Sequence, residues 1–257
     1  MIRVLAIGNS FSDDARTFVH QIAAASGLDI AIGNLYIGGC SLERHWQNAQ
    51  QDAAAYDYSR TGRPNAPSSI RQALESEKWD YVTLQQASHF SGMPETYQPY
   101  LNELSAYIRR YAPQAEQLIH ETWAYEIDST HSAFPDYGRD QRRMYQLLKA
   151  AYEKAAKDIG GARIIPSGDA FQLARENPLF DYTHGGKSLN RDGFHASLTL
   201  GRYLLGCVWV ETLSGISMVG NTFVPVAADH PELTSAPEEL TVLQKAAHDA
   251  VQARRKG

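Results

Sequence analysis

The amino-acid sequence predicts an α/β protein built around a mostly parallel sheet of five strands. Short apolar runs alternate with segments whose apolar residues recur at helical spacing, and this alternation is typical of βαβ units. Of the 257 residues, 43% are hydrophobic and 21% are charged. That composition supplies a real core and excludes disordered, collagen-like and coiled-coil proteins. We expect a main domain over residues 1–215 and a C-terminal extension over 216–257, whose helix packs on the same domain.

Each predicted strand is a short apolar run that ends at a turn-forming or polar residue. The first stops at Gly8 and the second at the Gly38-Gly39 pair. The predicted strands are Ile2–Ile7, Ile30–Ile37, Tyr81–Leu84, Gln117–Thr122 and Ala162–Ile165. Between and after them, helical spacing and stop signals predict helices. The predicted helices are Asp14–Ala25, Pro67–Lys78, Tyr97–Tyr111, Gln141–Ile159, Ala196–Leu213 and Glu238–Arg254.

Two polar segments interrupt the alternation, residues 47–66 and residues 126–138. Each follows a predicted strand, directly or after a short turn. Both are therefore expected as loops near the carboxyl edge of the sheet, where open α/β sheets bind ligands. Loops of this length in a compact domain usually serve function.

Charge and cysteine content narrow the class of protein. The formal charge is 24 − 29 = −5, which gives no general attraction for nucleic acid. Cys40 and Cys207 are too few for a disulfide framework or a zinc cluster and are expected as ordinary thiols. The apolar run from Val4 to Ile7 is shorter than a signal-peptide core, and no segment is long enough to span a bilayer. We therefore expect a cytoplasmic protein that binds neither nucleic acid nor membrane.

The turn after the first strand reads Gly8-Asn9-Ser10-Phe11-Ser12. A serine in a tight strand-to-helix turn is exposed at the sheet edge, and the backbone N–H groups of the turn point toward its hydroxyl. This arrangement suits a nucleophile and part of an oxyanion hole. The alternative is a helix cap by Ser12 or Asp13. A phosphate-binding turn is disfavoured because its glycine spacing and lysine are missing.

A second motif, Asp192-Gly193-Phe194-His195, precedes the predicted helix from Ala196. The three-residue spacing brings the carboxylate close to the imidazole, so Asp192 can fix the tautomer of His195 and stabilise its charged form. The alternatives are a local cap with an incidental histidine, and a metal site. No further metal ligand stands at a matching position.

Together the two motifs resemble those of the SGNH (GDSL-type) hydrolase superfamily, over roughly residues 2–215. Its four blocks are a serine turn, a glycine after the second strand, an asparagine after the third strand, and Asp-x-x-His near the end. Ser10, Gly39 and the Asp192/His195 pair match three blocks, with Asn9 where the superfamily has Asp.

The third block departs from the pattern, since it reads Leu84-Gln85-Gln86-Ala87-Ser88. A glutamine amide can also donate to an oxyanion. We expect Gln86 to do so, with Gln85 as the rival, because one residue of strand register decides which faces the site.

This resemblance implies a flavodoxin-like three-layer α/β/α sandwich and a serine esterase that needs no metal or organic cofactor. Ser10 is the implied nucleophile, His195 the base and Asp192 its partner. The backbone N–H groups of Ser10 and Gly39, with the glutamine amide, would form the oxyanion hole. Short acyl esters, above all acetyl esters of carbohydrates, are the expected substrates. The sequence leaves the oligomeric state open.

Aromatic and basic residues near the expected site have two interpretations each. Trp46, Trp123 and Tyr125 are candidates to stack on sugar rings, or else they wall the cleft. His45 and His120 are candidates to contact the substrate, but we expect them to be hydrogen-bonded structural histidines. The competing functions are a non-catalytic carbohydrate-binding or interaction module that has kept the hydrolase fold and, with less support, a nucleotide or phosphate binder.

Overall fold

The computed structural model describes residues 1–255. Among these residues, seven strands form one sheet in the order β4-β3-β2-β1-β5-β6-β7. The strands are β1 (Ile2–Gly8), β2 (Ile30–Tyr36), β3 (Tyr56–Arg60), β4 (Arg63–Ser68), β5 (Tyr81–Leu84), β6 (Glu116–Glu121) and β7 (Arg163–Pro166). The α/β class and the mostly parallel sheet are confirmed, whereas the predicted count of five strands is wrong.

The centre of the sheet is parallel. β1 pairs with β2 from Ile2↔Ile30 to Gly8↔Tyr36, and with β5 from Val4↔Tyr81 to Ile7↔Leu84. β5 also pairs in parallel with β6. Residues 4–7 of β1 are completely buried, as expected for a strand covered on both faces. The carboxyl ends of β2, β1, β5 and β6 therefore lie side by side at one edge of the sheet.

Of the two additional strands, β3 and the first four residues of β4 lie in the segment predicted as a polar loop over residues 47–66, and β4 ends two residues beyond it. β3 pairs antiparallel with β2, and β4 pairs antiparallel with β3. β4 contains Pro64 and Pro67, and its residues before Ser68 are exposed. Proline cannot donate to a ladder and is tolerated at a sheet edge, so this strand lacks the apolar alternation that sequence reasoning detects. Much of the expected loop is therefore an edge hairpin.

Helices occupy most of the remaining chain. They are α1 (Ser10–Arg16), α2 (Val19–Ala25), α3 (Leu42–Gln50), α4 (Ile70–Glu75), α5 (Tyr100–Tyr111), α6 (Gln141–Asp158), α7 (Ser167–Arg175), α8 (Leu200–Ser214) and α9 (Pro237–Arg255). The single helix expected over Asp14–Ala25 is two helices, α1 and α2, and neither α3 nor α7 was predicted. The helix expected from Ala196 starts at Leu200. None of the helices within residues 1–255 has the length and apolarity needed to cross a membrane.

The chain divides into two compact units. The first comprises Met1–Asp13, Asp29–Thr122 and Leu147–Ile164, and it contains the sheet with α3, α4 and α5. Within it, Ser69 caps α4 by accepting from the backbone N–H of Gln72, whose side chain in turn accepts from the Ser69 N–H. This reciprocal cap fixes the start of α4 at Ile70, three residues later than Pro67.

The second unit comprises Asp14–Leu28, Trp123–Gln146 and the chain from Ile165 onward. Its centre is α8, which is buried from Leu200 to Leu213 except at Arg202 and packs against α2, α7 and α9. A helix that is apolar all round must be covered all round. The C-terminal helix α9 supplies part of that cover, and residues 256–257 of the extension predicted over 216–257 lie outside the described residues.

Candidate active site

Ser10 is the first residue of α1, directly after Gly8 and Asn9 at the carboxyl end of β1. It is half-buried, while the neighbouring Ser12 is buried with its Oγ 2.8 Å from both Asn9 O and Asn34 Oδ1. Ser12 therefore has a structural role. A Cβ at Gly8 would lie 2.5 Å from Ser12 Oγ, so this turn closes only around glycine.

Three buried side chains form a hydrogen-bonded chain across the strand ends next to Ser10. His120 Nδ1 lies 2.8 Å from Gln85 Oε1, and Gln85 Nε2 donates to Asn9 Oδ1 at 2.8 Å. Asn9 Nδ2 donates to Cys40 O at 3.1 Å, and Asn9 Oδ1 also accepts from the Phe11 N–H at 3.0 Å. This chain connects the ends of β6, β5 and β1 with the loop after β2. His120 was expected to be hydrogen-bonded, but the sequence did not indicate that its partner is Gln85.

Gln86 does not face the Ser10 turn with an available amide. Its Oε1 accepts from the backbone N–H groups of Leu42 and Ala87, and its Nε2 donates to the carbonyl and hydroxyl oxygens of Thr96. These four bonds use both lone pairs and both hydrogens of the amide. The side chain is fully buried and connects the start of α3 to the loop before α5. The preference for Gln86 over Gln85 is therefore corrected: Gln85 is the glutamine that contacts the Ser10 turn.

Gly39 lies in the turn between β2 and α3, closed by a hydrogen bond of 3.2 Å from Cys40 N to Ile37 O. Its φ of +62° is a left-handed conformation, and a Cβ there would meet nothing within 4 Å. Glycine is therefore favoured at this position by backbone conformation rather than by space. The same turn holds the Cys40 carbonyl that accepts from Asn9.

Asp192 and His195 form the contact that their spacing predicts. Asp192 Oδ2 lies 2.7 Å from His195 Nδ1, and Asp192 Oδ1 accepts from the backbone N–H groups of His195 at 2.8 Å and Phe194 at 3.2 Å. Burial by itself raises the pKa of the Asp192 carboxyl, but these hydrogen bonds outweigh it and hold the pKa below its usual value. An ionised Asp192 fixes the Nδ1–H tautomer of His195 and stabilises a charged imidazole.

The loop that carries Asp192 and His195 packs on the segment of residues 123–129. Gly193 has a φ of +84°, and a Cβ there would lie 2.9 Å from the Cα of Ser129. The Gly193 carbonyl accepts from Glu126 N at 2.7 Å, and the Phe194 carbonyl accepts from Trp123 Nε1 at 2.8 Å. The segment at 123–129 thus fixes the backbone between Asp192 and His195.

His131 is a further titratable ring beside this loop, and it packs edge-on to Phe194 with ring centroids 4.8 Å apart. Its Nδ1 accepts from Ala133 N at 3.1 Å, which places the proton of the neutral ring on Nε2. Burial lowers the pKa of His131, as does the charge of His195, while Asp192 acts in the opposite direction. Sequence reasoning did not single out this residue.

Trp123 and Tyr125 are completely buried, which contradicts the expected role of both rings in stacking on a sugar. Trp123 stacks on Phe171 with ring centroids 4.9 Å apart, and Tyr125 packs against Phe134 and Phe194. Both rings therefore support the loop and expose no face on which a sugar could stack. Trp46, the third candidate, is half-buried on α3, where it meets Tyr107 edge-on at 6.2 Å.

Asp14, on α1, anchors the loop of Asp192 and His195, and no sequence pattern indicated this contact. The carboxylate is 1% exposed and accepts from Arg191 Nη1 at 2.9 Å, from Arg202 Nε at 2.8 Å and from the backbone N–H of Ala196 at 3.1 Å. Ala196 directly follows His195. Asp14 stands four residues after Ser10 on α1, and residues at this spacing lie on the same face of a helix, roughly 6 Å apart.

Two cavities open in the second unit, and Asp192 lines the smaller of them. A cleft of about 290 Å³ is lined by Asp192 and Gly193 together with Asp128, Tyr182 and Ser188. A larger cavity of about 700 Å³ shares Tyr182 and the buried Glu126 with the cleft. Both linings are mainly polar, and the larger cavity includes the guanidinium groups of Arg139, Arg142 and Arg175. Part of the loop over residues 126–138, expected at a ligand site, lines both cavities.

Comparisons with known proteins identify the family and the fold. The model of a family described as "Domain of unknown function (DUF4886)" matches residues 3–250. A crystal structure of a DUF4886 family protein from Bacteroides uniformis is 40% identical, covers 98% of this chain and 95% of its own, and superposes with a TM-score of 0.89. No curated protein sequence matches significantly.

More distant structures share the fold at lower identity. A proposed SGNH hydrolase from Slackia heliotrinireducens is 22% identical, with 82% of this chain and 97% of that chain covered and a TM-score of 0.56. Axe2, an acetylxylan esterase from Geobacillus stearothermophilus, is 14% identical, with 83% and 94% covered and a TM-score of 0.52. The resemblance to the SGNH hydrolases that the motifs indicated is confirmed at the level of the fold.

Proposed function

Because this chain belongs to the DUF4886 family and has the fold of SGNH hydrolases, we propose that it is a serine esterase. Its substrates are short-chain acyl esters, above all acetyl esters of carbohydrates. Ser10, His195 and Asp192 form the catalytic triad, and the domain is the flavodoxin-like three-layer sandwich of that superfamily. The observation that carries the proposal is the 2.7 Å contact between Asp192 Oδ2 and His195 Nδ1.

The anchoring by Asp14 supports Ser10 as the third member. Asp14 holds the backbone next to His195 and lies one helical turn after Ser10 on α1. Ser10 is half-buried, and Ser12 is buried with its hydroxyl in two structural hydrogen bonds.

The reaction proceeds in two halves. The Ser10 Oγ attacks the ester carbonyl while its proton passes to His195 Nε2, the accepting atom when Nδ1–H is bound to Asp192. The tetrahedral intermediate collapses, the bond to the alkoxy oxygen breaks, and His195 donates the proton to the leaving alcohol. Water then attacks the acyl-Ser10 ester with His195 as the base. The carboxylic acid leaves and Ser10 recovers its proton.

In this proposal, three hydrogen-bond donors stabilise the negative charge on the carbonyl oxygen. These are the backbone N–H groups of Ser10 and Gly39 and the side-chain amide of Gln85. Gln85 takes the role first expected for Gln86, because the amide of Gln86 is fully engaged with Leu42, Ala87 and Thr96. Such preorganised donors are typically worth 10²–10³ in rate each.

The polar cleft beside Asp192 supports a hydroxyl-rich alcohol rather than a long acyl chain. Asp128 and Ser188 are suitable partners for sugar hydroxyls, and Tyr182, 39% exposed, offers a ring edge or face. Its hydroxyl donates to Asp128 Oδ2 at 2.9 Å, which holds the ring at the rim. A short acyl group follows because neither cavity has a continuous apolar lining.

An ester panel tests the proposal. Hydrolysis of p-nitrophenyl acetate, p-nitrophenyl octanoate and acetylated xylo-oligosaccharides is measured for the wild type, for Ser10→Ala and for a control, Ser132→Ala, which changes an exposed serine. We expect acetyl esters to be preferred, activity to disappear in Ser10→Ala, and the control to match the wild type. Equal turnover by Ser10→Ala would exclude Ser10 as the nucleophile. Carbohydrate binding without any turnover would favour the non-catalytic module.

A further inference from the structure

We infer that His120 is a positioning residue for the Gln85 amide. This buried histidine outside the triad orients the side-chain donor of the oxyanion hole. This inference rests on the proposed function, and it adds a residue that the triad does not include. The argument uses the chain of hydrogen bonds from His120 through Gln85 to Asn9, all of which lie in the first compact unit.

The direction of this chain is fixed by its ends. The Cys40 carbonyl can only accept, and the Phe11 N–H can only donate. Both therefore orient the Asn9 amide in the same way, with Nδ2 toward Cys40 and Oδ1 toward Phe11. The Gln85 atom that lies 2.8 Å from Asn9 Oδ1 must then be Nε2.

The position of the His120 proton follows from the same reasoning. With Nε2 directed at Asn9, the Gln85 Oε1 faces His120 Nδ1 at 2.8 Å, and a carbonyl oxygen there requires an N–H. His120 is completely buried, and burial lowers its pKa to about 3, so the ring is neutral at physiological pH. His120 is therefore a neutral ring with its hydrogen on Nδ1.

This donor determines what Gln85 offers to a substrate. The Oε1 is held by His120, and the first Nε2 hydrogen by Asn9; no second acceptor for Nε2 occurs among residues 1–255. One amide hydrogen thus stays available beside the Ser10 turn. Without the His120 donor, the Gln85 amide keeps only its Nε2–H bond to Asn9. Its Oε1 then has no partner to fix the amide plane, so the available hydrogen is no longer aimed at one position beside the turn.

A matched pair of substitutions tests the inference. Asn and Leu have the same side-chain branching, but only Asn carries an amide nitrogen in the place of Nδ1. We expect His120→Asn to keep kcat within about threefold of the wild type on p-nitrophenyl acetate. We expect His120→Leu to lose roughly 10- to 100-fold in kcat with little change in KM, because the mispositioned donor acts on the transition state.

A double-substitution cycle shows whether His120 acts through Gln85. We expect Gln85→Ala alone to lose roughly 10²–10³ in kcat, and His120→Leu to add almost nothing in that background. Independent losses that multiply would overturn the inference, as would full kcat in His120→Leu.

A spectroscopic measurement separates this inference from the proposed function. In ¹⁵N-labelled wild type, the ring-nitrogen shifts of His120 should report a neutral Nδ1–H tautomer that does not titrate between pH 5 and 8. A neutral Nε2–H tautomer or a titrating ring would overturn the inference even if Ser10 proves to be the nucleophile. If the chain hydrolyses no ester, the proposed function fails, and the tautomer then decides alone whether His120 holds Gln85.

Discussion

Replacement of Asp14 by Asn removes the negative charge from the centre of a buried cluster without changing the size of the side chain. In the native protein, the Asp14 carboxylate faces Arg191 and Arg202, and it also accepts from the Ala196 N–H. An Asn amide at this place offers one oxygen and presents an N–H₂ group to at least one arginine. The substitution therefore leaves buried guanidinium groups without a counter-charge next to the loop of Asp192 and His195.

The size of the effect follows from exposure. Removal of one partner of a fully buried ion pair costs about 3–5 kcal/mol. Here Asp14 is 1% exposed, but the side chains of Arg191 and Arg202 are 29% and 21% exposed, so solvent compensates part of the loss. We expect a fall of roughly 2–4 kcal/mol in the free energy of unfolding. In a chain of this length, that corresponds to roughly 5–15 °C in Tm.

Urea denaturation of the wild type and Asp14→Asn at pH 7.5 measures this loss. Asp249→Asn serves as the control, because the pair of Lys245 and Asp249 is exposed, with 71% and 46% of the two side chains accessible. An exposed pair of this kind contributes less than about 1 kcal/mol. If Asp14→Asn were no less stable than Asp249→Asn, the assignment of Asp14 as the anchor of this loop would be wrong.

Two further predictions concern backbone strain and pH. Gly193→Ala should destabilise the protein by more than Gly220→Ala, since both glycines have a positive φ but only Gly193 would bring a Cβ to 2.9 Å from another Cα. Conformational strain alone accounts for roughly 1–3 kcal/mol in each variant. Equal stability of the two variants in urea would contradict the close approach at Gly193. Burial lowers the pKa of both His45 and His120 to about 3, so an unfolded chain with histidine pKa values near 6.5 binds protons that the native state does not. The contribution of the two neutral histidines to the free energy of unfolding is therefore complete above pH 6.5. Between pH 6.5 and 3, the free energy of unfolding should fall by up to about 1.4 kcal/mol per pH unit for each histidine. Urea denaturation at pH 7.5 and 5.0 should show a smaller decrease in the free energy of unfolding for His120→Asn than for the wild type. An equal decrease in the two proteins would refute this origin of acid sensitivity.

The sequence predicts best what depends on local pattern. The parallel strands β1, β2, β5 and β6 are apolar runs bounded by turn residues, and their bounds differ from the expected ones by one residue or less at each end. The contact between Asp192 and His195 was predictable because three residues of spacing in a tight loop suffice to form it. The edge strand β4 was not, because an exposed segment with two prolines carries no pattern of burial.

Features that depend on distant partners could not be predicted from one sequence. Asp14 resembles an ordinary acidic residue near the start of a helix, and its partners Arg191 and Arg202 lie more than 170 positions away. The choice between Gln85 and Gln86 depended on the exact end of β5, a matter of one residue. Trp123 and Tyr125 precede a polar loop, which suggested exposure, yet tertiary packing buries both rings completely.

Covalent labelling of the serine tests the central claim most directly. The protein is incubated with a fluorophosphonate at neutral pH, digested, and analysed by tandem mass spectrometry to locate the phosphonyl group. Activation by the Asp192/His195 pair predicts a single adduct on Ser10, which disappears in His195→Ala although Ser10 is still present. An unmodified Ser10 in the folded wild type, or an adduct that forms equally in His195→Ala, would contradict the account.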